Sequence, residues 1–152
     1  MSLEAGIEGI YREHGNRIWR ALLAYSGDPE IASDATAEAF AQALSRGDDL
    51  RSPERWIWKA AFRIAAGQLK SSRREVALVQ AGSYELNGQD RELTDALKKL
   101  PTKQRGALVL FYYADRPIKE IARTLRSTGP AVRVHLSQGR KRLREMLEAR
   151  HE

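Results

Sequence analysis

The sequence contains no cysteine, and this absence removes several classes of function at once. Disulfide bonds, thiolate zinc sites and cysteine nucleophiles are all excluded, and a cysteine-free chain suits a reducing cytosol. Long apolar runs are also lacking, since every apolar stretch falls far below the ~18 residues that a membrane span needs. The N-terminal segment has neither the basic start nor the apolar core of a secretion signal. We therefore expect a cytoplasmic protein without membrane insertion.

The residues of enzyme active sites are equally scarce. The three histidines, His14, His135 and His151, are scattered, and no nucleophile elbow or base-orienting arrangement accompanies them. Gly47 and Gly67 lack the neighbours of a phosphate-binding loop. The sequence therefore predicts no enzymatic activity, no metal site and no cofactor.

Positive charge is what the chain has in excess, and it is unevenly distributed. The net charge is +6, but residues 1–74 carry 11 Lys/Arg against 10 Asp/Glu, whereas residues 93–152 carry 14 against 6. Residues 75–92 between them are acidic, with 1 against 4. Such asymmetry indicates that the back half binds a polyanion, the alternative being a solvated basic surface.

Apolar residues recur every three and four positions, which is the period of an α-helix. The first helix should end near Ser26–Gly27, because glycine permits a C-terminal cap. Asp28–Pro29 and Ser52–Pro53 each pair a capping side chain with proline in the first turn and so begin two more helices. The helix that begins at Asp28–Pro29 should stop near Arg46–Gly47. The predicted buried face of the third helix comprises Trp56, Ile57, Ala60, Ile64 and Leu69.

Turn residues interrupt this pattern after the third helix, and the helical period resumes at Leu93. Helices follow up to Pro101 and from about Lys103 to Ala114. We therefore predict an all-α protein with a three-helix domain over residues 1–74, a flexible linker over 75–92 and a second helical domain over 93–152.

The last two helices have the layout of a helix-turn-helix. A short helix over 118–125, a tight connection and a longer helix from about Gly129 follow one another, and Ala122 is small enough for the helices to approach closely. Thr128 is the predicted cap of the second helix, and Pro130 fits its first turn. Arginine and glutamine on its outward face could contact base edges, whereas the alternative is a plain amphipathic hairpin with a basic face.

These segments resemble the extracytoplasmic-function sigma factors. The C-terminal half contains Leu100-Pro-Thr-Lys-Gln-Arg105, Ile118-Lys-Glu-Ile-Ala122 and Gly139-Arg-Lys-Arg-Leu143, which are similar to the motifs of the promoter-reading region 4 of that family. The N-terminal half has Asp28-Pro-Glu followed by Asp34, Glu38 and Phe40, which is similar to the polymerase-binding segment of region 2. The likeness spans about residues 7–74 and 93–147.

The resemblance implies a role for each half. Region 2 would bind the beta-prime clamp of core RNA polymerase through Asp34, Glu38 and Phe40, although Phe40 could be mostly core. It would also melt and read the minus-ten element through Arg51, Arg55, Trp58, Lys59, Arg63 and Lys70, although packing is the alternative for Trp58. Region 4 would bind the beta flap and read the minus-thirty-five element. Its implied DNA contacts are Thr128, Arg133, Val134, His135, Ser137, Gln138, Arg140 and Lys141.

The chain departs from the family pattern at several of these sites. Arg63 and Gly67 replace the usual Asn and Asp, and Ala37 replaces Gln. In the recognition helix, Pro130 and Ala131 replace Gly and Thr, and Gln138 replaces a common arginine. Because each bidentate arginine contact to guanine contributes about 1–3 kcal/mol of discrimination, we expect an unusual promoter preference.

The resemblance predicts an alternative sigma factor with core RNA polymerase, promoter DNA and an anti-sigma factor as partners. Two other functions remain open from the residues alone. A dimeric helix-turn-helix regulator would bind a palindrome without polymerase, and a degenerate sigma-like module would bind proteins without directing transcription.

Overall fold

A computed structural model describes residues 3–72 and 88–150, and the chain divides into two compact units, residues 1–81 and residues 82–152. Each unit contains its own buried apolar core. Apart from short turns, the described residues are helical, which confirms the all-α prediction. The predicted linker over 75–92 lies mostly outside the described residues. Its last five residues, 88–92, are helical and not linker, because the first helix of the second unit begins at Gly88.

The first unit consists of three helices joined by short turns: α1 (Leu3–Ser26), α2 (Pro29–Arg46) and α3 (Pro53–Ser72). Each of the three packs against the other two. Asp28 caps α2 by accepting a hydrogen bond from the backbone N–H of Glu30 at 2.9 Å. Gly47 ends α2 with φ +60° and leads into a single 3-10 turn, Gly47–Asp49.

The second unit consists of α4 (Gly88–Lys98), α5 (Thr102–Tyr112), α6 (Ile118–Leu125) and α7 (Gly129–Arg150). Helix α7 packs against the other three helices of its unit. Its buried side comprises Val132, Leu136 and Gly139, spaced by three and four residues. Gly139 allows a close approach to α5, since a Cβ at this position would lie 3.0 Å from Leu108 Cδ1.

The turn between α6 and α7 is closed by backbone hydrogen bonds. Arg126 adopts the left-handed conformation at φ 56°, and its N–H donates to Arg123 O at 3.2 Å. The N–H of Ser127 donates to Ala122 O at 2.8 Å. This pair of bonds is the Schellman arrangement, which satisfies carbonyls that the end of a helix leaves without partners. It fixes where α7 begins relative to α6.

The buried face of α3 differs from the prediction. Ile57, Trp58, Ala61, Phe62 and Ala65 are buried. Trp56, Ala60, Ile64 and Leu69 are only half-buried, so that Ile57 is the one residue common to both sets. The helical period itself is as predicted, but the face that packs on α1 and α2 is rotated by about one residue.

Candidate functional site

The start of α7 is organised by Thr128, as the sequence predicted. Its side-chain oxygen accepts a hydrogen bond from the backbone N–H of Ala131 at 3.2 Å, and its carbonyl accepts from Val132 N at 2.9 Å. Pro130 lies in the first turn, where its missing N–H leaves no bond unmade. Because the side-chain oxygen of Thr128 already accepts this capping hydrogen bond, we assign to Thr128 the role of defining the start of α7.

An exposed row follows along α7, opposite the buried residues Val132 and Leu136. Val134 is 51% exposed, which is high for an apolar side chain in a folded unit. Four exposed polar or charged side chains flank it within two turns, and they supply a guanidinium, a hydroxyl, an amide and an ammonium group. These neighbours are Arg133, Ser137, Gln138 and Lys141. The combination suits the major groove, where donors read base edges and an apolar group can contact a thymine methyl.

Two of the predicted minus-thirty-five residues lie away from the centre of this row. Arg140 is half-buried, and its Nε donates to the hydroxyl of Tyr112 on α5 at 2.6 Å. Its guanidinium also lies 5.6 Å from the ring centroids of Phe111 and Tyr112. His135 is half-buried on the other flank. Both residues therefore border the exposed row, and Arg140 is held by α5.

Behind Arg140, the second unit has an apolar groove of about 640 Å³ between α4, α5 and α7. Leucines from α4 and α7 line it, and Tyr112 and Arg144 border it. This groove could not be predicted from the sequence, because its lining leucines have the spacing of ordinary core residues: Leu93, Leu97, Leu143 and Leu147.

Helix α3 carries the predicted minus-ten cations on one face. Arg55, Lys59, Arg63 and Lys70 are spaced by four and seven residues, so they lie along one side of the helix. Arg51 is exposed just before the helix begins. Lys59 and Arg63 are half-buried, while Arg55 and Lys70 are exposed. The structure therefore brings these four helical cations together as a stripe.

Burial corrects the expectation for Trp58. Its side chain is 2% exposed and belongs to the core of the first unit, so its ring offers no face to an unpaired base. The half-exposed aromatic beside the cation stripe is Trp56, and the Arg46 guanidinium lies 5.0 Å from its ring centroid. A stacking role would therefore fall to Trp56, whose helical spacing predicts a buried position.

Helix α2 presents an acidic row that includes two predicted polymerase contacts. Asp34 and Glu38 are exposed one turn apart, whereas Phe40 is 6% exposed and packs edge-on against Tyr11 at 5.0 Å between centroids. The burial of Phe40 makes it a core residue rather than a contact. Tyr11 and Leu44, whose helical spacing had predicted core positions, are instead 56% and 48% exposed and border a groove between α1 and α2.

Within residues 3–72 and 88–150, no helix is both long and apolar enough to cross a membrane.

Comparisons with known proteins agree on one group. The family model "Sigma-70, region 4" matches residues 90–143, which include α5, α6 and the exposed row of α7. RNA polymerase sigma factor SigV of Bacillus subtilis (strain 168) is 24% identical over 144 residues, covering 89% of this chain and 87% of the relative. ECF RNA polymerase sigma factor SigM of the same organism is 23% identical, covering 92% of this chain and 94% of the relative.

Two solved structures are similar in fold. CnrH, solved in complex with the cytosolic domain of CnrY, matches with a TM-score of 0.72 at 18% identity, covering 96% of this chain and 90% of that chain. The sigma factor RpoE from Bartonella quintana, solved with the anti-sigma factor NepR, matches with a TM-score of 0.69 at 18% identity, covering 93% of this chain and 98% of that chain.

Proposed function

We propose that this chain, which belongs to the extracytoplasmic-function sigma factors, binds core RNA polymerase and directs it to a specific set of promoters. The observation that carries the proposal is the exposed row of α7, with Arg133, Val134, Ser137 and Gln138 beyond a start fixed by Thr128. Base-reading groups on one helix of a helix-turn-helix are what recognition of a minus-thirty-five element requires.

The first unit supports the other two steps of initiation. The exposed carboxylates of Asp34 and Glu38, with the neighbouring Tyr11 and Leu44, form a mixed acidic and apolar surface suited to the beta-prime clamp. The cation stripe on α3, with Arg51 before it, would hold the backbone of the melted minus-ten strand, and Trp56 would stack on a base. On this proposal one unit grips polymerase and opens DNA, while the other anchors upstream.

We further propose that the protein acts without catalysis and in the cytoplasm. The polymerase would supply the chemistry, and the chain would supply binding and orientation. Because RpoE was solved with an anti-sigma factor, a regulatory partner of that kind is expected for this chain as well.

The test is co-purification of the tagged chain with core RNA polymerase, followed by transcription in vitro from a genomic fragment library. We expect a stable complex and start sites that share spaced minus-thirty-five and minus-ten elements. Binding of a palindromic fragment by the chain alone, without affinity for core, would instead support a dimeric regulator. Binding to core without any transcript would support a sigma-like adaptor.

A charge-reversal pair tests the polymerase surface. Glu38→Lys should weaken binding to core roughly ten-fold, because it places a cation where an acidic contact is expected. Glu13→Lys makes the same charge change at an exposed position of α1 and should leave affinity nearly unchanged. Equal effects of both substitutions would contradict a local contact at Glu38.

A further inference from the structure

A glutamine in the position of Gln138 would ordinarily be expected to contact adenine in the major groove. A glutamine pairs with that base through both halves of its amide, because Oε1 accepts from N6 and Nε2 donates to N7. This pairing needs both groups to be available on the side chain that enters the groove. The structure of the second unit shows that Oε1 of Gln138 already accepts a hydrogen bond from a neighbouring helix, which orients the amide.

The group that uses it is Gln104, on α5. Its Nε2 donates to Oε1 of Gln138 at 3.2 Å, joining two residues that are 34 positions apart in the chain. Gln104 is 5% exposed, whereas Gln138 is exposed on the outward side of α7. The bond therefore turns Oε1 of Gln138 toward α5 and leaves Nε2 as the group directed outward.

Gln104 itself has few other roles among the described residues. Its own Oε1 is buried and has no hydrogen-bond partner within that part of the chain. Leaving a buried amide oxygen without a partner is unfavourable for the folded state. The side chain nevertheless sits against α7, directly below the base-reading row, where Gly139 leaves room for α5 to approach.

We infer that Gln104 is a positioning residue for promoter recognition. It holds the amide of Gln138 so that this amide presents its Nε2 donor to DNA, and not the combination of acceptor and donor that pairs with adenine. The inference rests on the proposed function, since it requires α7 to enter the major groove. It assigns Gln138 to a base with acceptors on its major-groove edge. Guanine presents O6 and N7, and thymine presents O4, whereas the N6 amino group of adenine would face a second donor.

The experiment uses complete holoenzyme, assembled from the full chain and core RNA polymerase. Transcripts are sequenced from a promoter library in which every minus-thirty-five position is randomised. Gln138→Ala first identifies the position that Gln138 reads, because the base preference there should fall while preferences at other positions remain. In the wild type that position should favour guanine or thymine over adenine.

Gln104→Met then tests positioning, since it removes the amide while keeping a chain of similar length in a buried site. Freed from its partner, Oε1 of Gln138 can accept from N6, and adenine at that one position should gain roughly 3- to 10-fold relative to the wild-type preference. In a Gln138→Ala background the same substitution should have no effect on base preference. Lys103→Ala, an exposed neighbour on α5, is the matched control and should leave every position unchanged.

Thermal unfolding of each variant shows whether it is folded before its preferences are read. If Gln104→Met unfolds, Gln104→Leu replaces it, because an apolar side chain in this buried site likewise offers no donor to Oε1 of Gln138 and leaves it free for adenine. A merely structural role for Gln104 would lower activity at all promoters without a shift at one base. The inference is overturned if Gln138→Ala alters one position and neither Gln104 variant shifts it. Absence of any minus-thirty-five preference in the wild type would instead contradict the proposed function.

Discussion

Arg105 combines a positive charge with almost complete burial, at 3% exposure. Its Nη1 donates to Lys98 O at 3.1 Å and to Leu97 O at 3.5 Å, at the C-terminal end of α4. The last carbonyls of a helix lack partners within it and carry the negative end of its dipole, so a guanidinium satisfies both their hydrogen bonding and their charge. The final residue of the Leu-Pro-x-x-Gln-Arg motif thus joins α4 to α5.

Replacing Arg105 should therefore destabilise the second unit. Arg105→Met keeps much of the side-chain volume but removes the donors, and we expect a loss of about 1.5–3 kcal/mol in the free energy of unfolding, as for hydrogen bonds to charged groups. Urea unfolding followed by circular dichroism measures it. Lys103→Met on the exposed side of α5 is the control and should change stability by less than about 0.5 kcal/mol. Equal stability of the two variants would refute the capping role.

At the scale of single residues, the sequence allowed the exposed row of α7 to be predicted but not the tryptophans of α3. Trp56 and Trp58 are both aromatic and two positions apart, and either could have been core. Which one is buried depends on how closely α3 approaches α1 and α2, which is a tertiary property. The Gln104–Gln138 bond was unpredictable for the same reason, since it joins helices whose contact the local pattern does not specify.

At the scale of helices, the boundaries were predictable where a local signal exists. Asp28 followed by Pro29 begins α2, and Gly47 ends it, because capping and left-handed conformations depend on a few adjacent residues. The end of α6 carried no such signal. Arg126 takes the left-handed conformation usually given to glycine, and the hydrogen bonds of the turn hold it there.

Two glycines in the first unit should respond in opposite directions to alanine. Gly47 has φ +60° and ψ −131°, a conformation that is essentially restricted to glycine, so Gly47→Ala should cost about 1–3 kcal/mol. Gly67 lies inside α3, and a Cβ there would meet nothing within 4 Å, so Gly67→Ala should stabilise by about 0.5–1 kcal/mol. Chemical denaturation of both variants measures the difference. A stabilising Gly47→Ala would contradict the cap geometry.

At the scale of the whole molecule, composition alone does not show how the basic half of the chain would attract DNA. The excess of cations in residues 93–152 fits either a general attraction to DNA or a set of specific phosphate contacts. The structure makes a test possible, because exposed cations of the second unit occur both on the exposed row of α7 and away from it. Lys141 lies on the outward side of α7, whereas Lys99 lies just after α4.

The two lysines carry the same charge, and this makes them a matched pair. If Lys141 contacts a phosphate, Lys141→Ala should reduce the slope of log K against log salt concentration by about 1 for holoenzyme binding to a promoter, because one fewer counterion is released. Lys99→Ala removes the same net charge and should leave the slope almost unchanged. Filter binding or anisotropy between about 50 and 200 mM salt covers the range in which such slopes are steep. Equal changes from both substitutions would mean that the basic half attracts DNA only through its net charge, since a contact at Lys141 requires the two variants to differ.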